Sequence, residues 1–236
     1  MKKILLGLTT LTGENWKNKI EEAKKFNIEE VALFPTMLDL EKRKELYTLL
    51  ENSPIKSIPH VHLRHDMEEW ELDYFVSKYG THLFNIHPNL DSLRLLDFKK
   101  HTPNIYIENL YAISDDFLDI LKRCGGICLD AAHWHSEGIM KGGQGYERFP
   151  ALFSEYKIGC CHISGAKNTP VLKFDEVLKK EVAEYEYHKV DINDLSYFDY
   201  IKKYAQYLPE IISIELENSF EEQMKAREYL AKLVNL

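Results

Sequence analysis

The stretch GGICLDAAHWH, Gly125 to His135, is a short apolar run that ends in an aspartate and then sets two histidines within five residues of it. An ordinary buried strand gives way to turn residues, not to three potential metal ligands. Its meaning depends on whether other strands in the chain end the same way.

They do. Apolar runs rich in β-branched and aromatic residues recur along the whole sequence: KILLGLTT, EEVALFP, KSIPHVHLR, HLFNIHP, NIYIENL, GICLDAAH, KIGCCHIS and EIISIELEN. Amphipathic segments separate them, among them NWKNKIEEAKKF, LEKRKELYTLLEN and MEEWELDYFVSKYG. The last one, SFEEQMKAREYLAKLV, opens with Asn218 or Ser219 as an N-cap ahead of Glu221 and Glu222. Strand-then-helix repetition implies a parallel sheet. Eight such units in 236 residues, close to the ~250 typical of the architecture, imply a single (β/α)8 TIM barrel over 1–236. A doubly wound open sheet would want a glycine-rich turn after its first strand, and LTTLTGEN offers one glycine. The longest departure from the repeat is Ser164 to Asp191, read as an extended connection after the seventh strand.

In a barrel, residues at the carboxyl ends of the strands converge on one site. Those ends carry His60 and His62, His87, Glu108, Asp130 with His133, His162, and Glu215 with Glu217; the long connection adds Glu186 and His188. Alternation places Asn85 with His87, Cys128 with Asp130, Cys160 with His162, and Ser213 with Glu215 on shared faces. A single strand-end histidine is an ordinary hydrogen-bonded residue, and a single glutamate can be merely solvated. A whole ring of imidazoles and carboxylates would repel or stay unsatisfied in a dry barrel, and divalent cations resolve both problems.

These residues resemble the xylose isomerase-like TIM barrels, the superfamily that joins sugar isomerases and epimerases with endonuclease IV (AP endonuclease family 2). The likeness spans nearly the full length in strand order. It is carried by NIHP at 85–88, IENL at 107–110, LDAAH at 129–133, CHISGAKN at 161–168 and IELEN at 214–218. The resemblance implies one divalent metal held by Glu108, Asp130, His162 and Glu215. Its endonuclease IV branch implies up to three zinc ions, with His62 (or His60), His87, His133, Glu186 and His188 as further ligands. Glu186 stands where that branch has aspartate, and Gly165 and Ala166 follow His162 where it has an acidic residue.

Two chemistries follow from the resemblance. An isomerase or epimerase would hold a small sugar, sugar phosphate or sugar acid on zinc, manganese, cobalt or magnesium. Glu108 and Glu215 would pass a proton through an enediolate, with His133 orienting a hydroxyl. A multi-zinc phosphoesterase would instead activate water against a phosphate ester. Arg64 and Lys167 could hold an anionic group and Trp134 or Tyr111 could wall the sugar, though each also reads as a plain surface charge or a packed rim aromatic. A barrel kept as a binding protein would show a broken ligand set, and every position here is occupied by a competent residue.

The formal charge of −8 and the absence of a basic loop with interleaved aromatics count against a nucleic-acid partner. They favour a small-molecule substrate. No run of ~18 or more apolar residues suggests a membrane span. Cys124, Cys128, Cys160 and Cys161 lack paired zinc-ribbon spacing, and three of them lie in or beside apolar runs. They read as reduced thiols in a cytoplasmic protein. A homo-oligomer is compatible with this reading.

Overall fold

The computed structural model describes residues 2–11, 16–175 and 179–235. Gly13 of the LTTLTGEN turn and Asn15 at the expected start of the first helix lie outside them. The chain folds as an α/β protein around a nearly closed barrel of nine parallel strands. These are β1 (Lys3–Leu5), β2 (Gly7–Thr9), β3 (Ala32–Phe34), β4 (His60–His62), β5 (Leu83–Ile86), β6 (Ile105–Glu108), β7 (Gly126–Asp130), β8 (Ile158–Ile163) and, after a separate hairpin, β11 (Ile211–Ile214). The order around the sheet is β1-β11-β8-β7-β6-β5-β4-β3-β2.

The expected first strand is broken in two at Leu6, which is why nine strands replace the eight expected. β1 pairs with β11 and β2 with β3, so the two edges of the sheet are successive pieces of one chain segment. Side chains complete the seam between β2 and the chain leaving β11. Gln223 accepts from the Gly7 amide at 2.7 Å and donates to Gly7 O and Leu216 O, each at 3.0 Å. The Lys19 ammonium donates to Gly7 O, Thr9 Oγ1 and Leu216 O at 3.1, 2.8 and 2.6 Å. A side chain at Gly7 would put its Cβ 1.9 Å from Ile214 O, so only glycine permits this approach.

Helices cover the outside: α1 (Trp16–Phe26), α2 (Leu40–Glu51), α3 (Glu69–Tyr79), α4 (Asp115–Leu121), the short α5 (Ala131–His133) and α6 (Phe149–Leu152), and α7 (Phe220–Leu233). Tighter 3-10 turns over Leu90–Asp97 and Leu195–Lys203 stand where two further helices of the repeat belong. α7 starts in a capping box in which Ser219 accepts from Glu222 N and Glu222 reaches back to Ser219 N. Its buried stripe, Phe220, Gln223, Ala226 and Leu230, follows the helical period.

The strands are buried on both faces because the outer face meets helices and the inner face meets other strands. Val61, Phe84, Ile107, Leu129, Ile163 and Ile214 join the main core under the helices. Leu83, Tyr106, Cys128 and Cys160 form a separate small cluster inside the barrel.

Ser164 to Asp191 is not an extended connection. β9 (Gly165–Asp175) and β10 (Lys180–Tyr187) pair as an antiparallel hairpin beside the barrel, anchored by Glu186 opposite Ala166 and Tyr187 opposite Gly165. Among the described residues, no helix is long and apolar enough to cross a membrane.

Candidate metal centre at the barrel mouth

The carboxyl ends of β4 to β8, the residues just past β11, and the end of β10 bring their side chains together. Glu108, ending β6, lies at the centre. Its Oε2 is 3.0 Å from His62 Nε2 and 3.5 Å from His162 Nδ1; its Oε1 is 3.3 Å from His133 Nδ1 and 3.8 Å from His87 Nε2. His62 and His87 approach Nε2 to Nε2 at 3.1 Å. Asp130 Oδ2 and Glu215 Oε2 lie 3.8 and 3.4 Å from the same His162 Nδ1. On the hairpin side, Glu186 Oε2 is 3.1 Å from His133 Nε2, and Glu186 Oε1 is 3.5 Å from His188 Nε2. Among the described residues, the groups whose ligand atoms lie within 4.8 Å of one another include His62–His87–Glu108, Glu108–Asp130–His133 and Asp130–His162–Glu215.

Three of the imidazoles are oriented from behind. His62, His133 and His188 donate Nδ1–H to backbone carbonyls of Leu63, Asn109 and Glu215 at 3.0, 3.0 and 3.3 Å. That fixes the tautomer and aims each Nε2 at a carboxylate, the arrangement that supports a metal-ligating histidine. His162 points Nε2 at Cys128 Sγ, 3.4 Å away, and Nδ1 at the three carboxylates. The carboxylates are held as well. Asn85 donates to Glu108 Oε2 at 2.7 Å, Ser164 to Glu186 Oε1 at 2.6 Å, and the His133 amide to Asp130 Oδ1 at 2.6 Å. Asn109 clamps the Asp130 backbone through its side-chain amide, with bonds of 2.8 and 2.9 Å.

Two atoms in this well-tied set have no hydrogen-bond partner: Asp130 Oδ2 and His162 Nδ1, both fully buried. A buried carboxylate oxygen and an imidazole nitrogen that lie together without a hydrogen bond are a donor set that fits a shared cation.

The electrostatics agree. Burial pushes the Asp130 carboxyl well above its ordinary value; Glu186, Glu108 and Glu215 add to this and His133 opposes it. Burial also pushes Glu108 up, but His162, His87, His133 and His62 outweigh it and hold it well below the carboxylate range. Glu186, with His133 and His188 overcoming its burial, is held down at about 2. Burial would lower His133, yet Asp130, Glu186 and Glu108 raise it well above the ordinary imidazole value. Burial draws His87 down to about 4. Imidazoles held up by carboxylates, and carboxylates held down by imidazoles, answer one another here, a role that divalent cations can also fill.

Of the paired alternatives, His62 faces Glu108, whereas His60 lies deeper, bonded to Ser213 Oγ and Asn85 Oδ1. Glu215 reaches His162, and Glu217 instead lines a cavity of about 700 Å3 between the mouth and the hairpin. His133, Tyr111, Glu186, His188, Lys173 and Tyr185 also line it.

Three residues expected to contact substrate are not in its lining. Trp134 is buried among Phe149, Phe153, Tyr204 and Tyr207. Arg64 donates to Leu38 O and Asp66 Oδ2. Lys167 pairs with Asp194 and Ser196 and sits over the Tyr197 ring. The supporting roles of Ser164 and Asn109 and the hairpin wall with Lys173 and Tyr185 were not anticipated. The only trace in the sequence was the Asn following Glu in IENL.

No protein-family model matches the chain, and no curated protein matches it. Four chains of solved structures do. One is the crystal structure of an uncharacterized protein from Parabacteroides distasonis, 17% identical, covering 97% of this chain and 98% of that one with a TM-score of 0.49. A likeness of that size bears on neither family nor activity.

Proposed function

We propose that the chain is a (β/α)8 barrel of the xylose isomerase-like kind whose mouth holds two or three divalent cations, and that it hydrolyses a phosphate ester of a small molecule. One observation carries this reading: His62, His133 and His188 are each tied by Nδ1 to a backbone carbonyl and aim Nε2 at a carboxylate. Together with the unpartnered Asp130 Oδ2 and His162 Nδ1, they fit more than one cation. His62 and His87 with Glu108 would hold one, Glu108 with Asp130, His162 and Glu215 a second, and His133, Glu186 and His188 a third. Cations bound there supply Lewis acidity toward phosphoryl oxygens and a nucleophilic water at neutral pH.

The chain's own groups do the rest. Asn85 and Ser164 hold Glu108 and Glu186 in fixed rotamers. Lys141, Lys173 and Lys189 line the cavity among Glu137, Glu184 and Glu217, which suits a substrate carrying both phosphate and hydroxyl groups. A cavity of about 700 Å3 beside the hairpin suits a small molecule better than a duplex.

A second reading, sugar isomerisation or epimerisation, draws on Glu108 and Glu215. Their carboxylates approach His162 Nδ1 from different strands at 3.5 and 3.4 Å, a pairing suited to passing a proton across a substrate carbon.

Elemental analysis of protein purified without chelator or added metal separates the two. Two or three zinc ions per chain, with phosphate release from small esters that Glu108→Gln abolishes, are the expected result. A single manganese, cobalt or magnesium ion with ketose–aldose interconversion would favour the second reading. A chain that neither carries nor takes up metal would overturn both.

A further inference from the structure

Two residues back from the mouth on each strand, the barrel carries a second polar tier of different chemistry. Cys128 and Cys160 are register partners on β7 and β8, directly beneath Asp130 and His162, which are themselves partners. His60 lies across from them, two residues before His62. All three are fully buried, and they offer ligand atoms within 4.8 Å of one another.

The imidazole of His60 is set up as a ligand. Asn85 spends its amide N–H on Glu108 Oε2 at 2.7 Å, so its Oδ1 must be the acceptor for His60 Nε2–H at 3.0 Å. The ring therefore keeps its lone pair at Nδ1, where the Ser213 hydroxyl now donates at 2.8 Å. An imidazole with one nitrogen locked to an amide oxygen and the other held only by a rotatable hydroxyl has the outer support typical of metal-bound histidine.

We infer that His60, Cys128 and Cys160 form a separate, thiol-rich cation site inside the barrel, selective for a thiophilic dication such as zinc(II) or cadmium(II). Its selectivity follows from donor softness. The tier above offers mostly oxygen and imidazole nitrogen, whereas this one offers two sulfurs and one nitrogen. Charge balance also favours a dication: two thiolates, a neutral imidazole and a 2+ ion sum to zero in a dry interior. His162 joins the tiers, with Nε2 on Cys128 Sγ and Nδ1 among the upper carboxylates. Filling the lower site thus alters the ring that faces the upper one. The inference does not depend on which reaction the mouth performs.

The test is titration of the reduced, metal-stripped full chain with cadmium(II), followed by ultraviolet thiolate-to-cadmium charge transfer. The expected result is a band that saturates at one cation per chain. Cys128→Ser and Cys160→Ser should each lose the band. Cys161→Ser, at a thiol facing the other way along β8, and Asp130→Asn, in the upper tier, should keep it. Absence of the band in the wild-type chain at saturating cadmium overturns the inference however the variants fold. So does a band that survives in the Cys128→Ser, Cys160→Ser double variant.

Discussion

Two parts of this molecule bury charge in opposite ways. Between α2 and α3, Arg43 is fully buried and fully answered. Its Nε and Nη2 form a two-pronged pair with Glu71 at 2.8 and 3.0 Å, while Nη1 donates to Leu38 O and Asp66 Oδ1 at 2.9 and 3.0 Å. Glu71 also receives the Tyr47 hydroxyl and the Glu68 amide. At the barrel mouth, Glu108, Asp130 and His162 are just as buried, yet Asp130 Oδ2 and His162 Nδ1 have no partner. A buried polar group with every bond made belongs to the architecture; a buried carboxylate oxygen and imidazole nitrogen left unbonded side by side have capacity for a partner from outside the chain.

The architectural side of the comparison breaks most visibly at Glu71. Glu71→Ala leaves the buried Arg43 guanidinium with only the partly exposed Asp66 carboxylate to answer it, which costs up to about 3–5 kcal/mol of stability. Equilibrium urea unfolding reads this directly, and a loss under about 1 kcal/mol would mean the pair is not the structural knot its geometry indicates.

Gly7→Ala comes next. Its Cβ would fall 1.9 Å from the Ile214 carbonyl, backbone that cannot turn aside, so the seam must open. A cost of about 1–3 kcal/mol is expected, typical of overpacking in a well-packed region, with a lower thermal midpoint as the readout.

The same seam predicts a pH dependence. Burial pulls the Lys19 ammonium down to about 7, against Glu22 and Glu217, which hold it up. Between there and the ordinary value of 10.5 the unfolded chain binds a proton that the folded chain does not. Stability due to this residue therefore rises with pH across that window, by at most about 1.4 kcal/mol per unit. The three oxygen acceptors around Nζ favour the charged form and reduce the slope. Unfolding of wild type and Lys19→Met between about pH 7 and about pH 9 isolates the effect, because the difference should shift toward wild type as pH rises. A pH-independent difference would place the lysine's folded pKa near its unfolded one.

The contrast also explains what could be read in advance. Strand order and the convergence of His62, His87, Glu108, Asp130, His162 and Glu215 follow from a repeat and an alternation that are local in sequence. The break at Leu6 is not local; it falls where the segment changes partner from β11 to β3, beside the close approach of Gly7 to Ile214. Alternation puts His60 and His62 on one face, but only the stagger between strands decides which of them meets Glu108. Arg64, Lys167 and Trp134 went elsewhere because partners outside the motif, Asp66, Asp194 and the Phe149–Tyr204 cluster, claimed them. The hairpin was missed because its strands lie beside the barrel and leave Val171, Leu172 and Phe174 exposed, so no buried stripe marks them.

The smallest expected effect is the sharpest test of the comparison. Asp130→Asn keeps the Oδ1 atom that accepts from the His133 amide, and so keeps the local turn. It replaces the unpartnered Oδ2 with an N–H donor in the company of Glu108 and Glu215, and removes a carboxyl whose charged form burial opposes. In the metal-stripped chain the substitution should therefore change stability by less than about 1 kcal/mol, or raise it, since burial opposes the carboxyl's charged form and the replaced atom has no hydrogen bond to lose. Added divalent cation should separate the two proteins. A ligand about a hundredfold above its Kd stabilises the wild type by about 2.7 kcal/mol, and the variant should gain clearly less. Thermal melts of both proteins with and without cation decide the matter. If Asp130→Asn is as damaging without metal as Glu71→Ala, then the mouth is architecture like the Arg43 knot, and its unpartnered atoms do not mark a cation site.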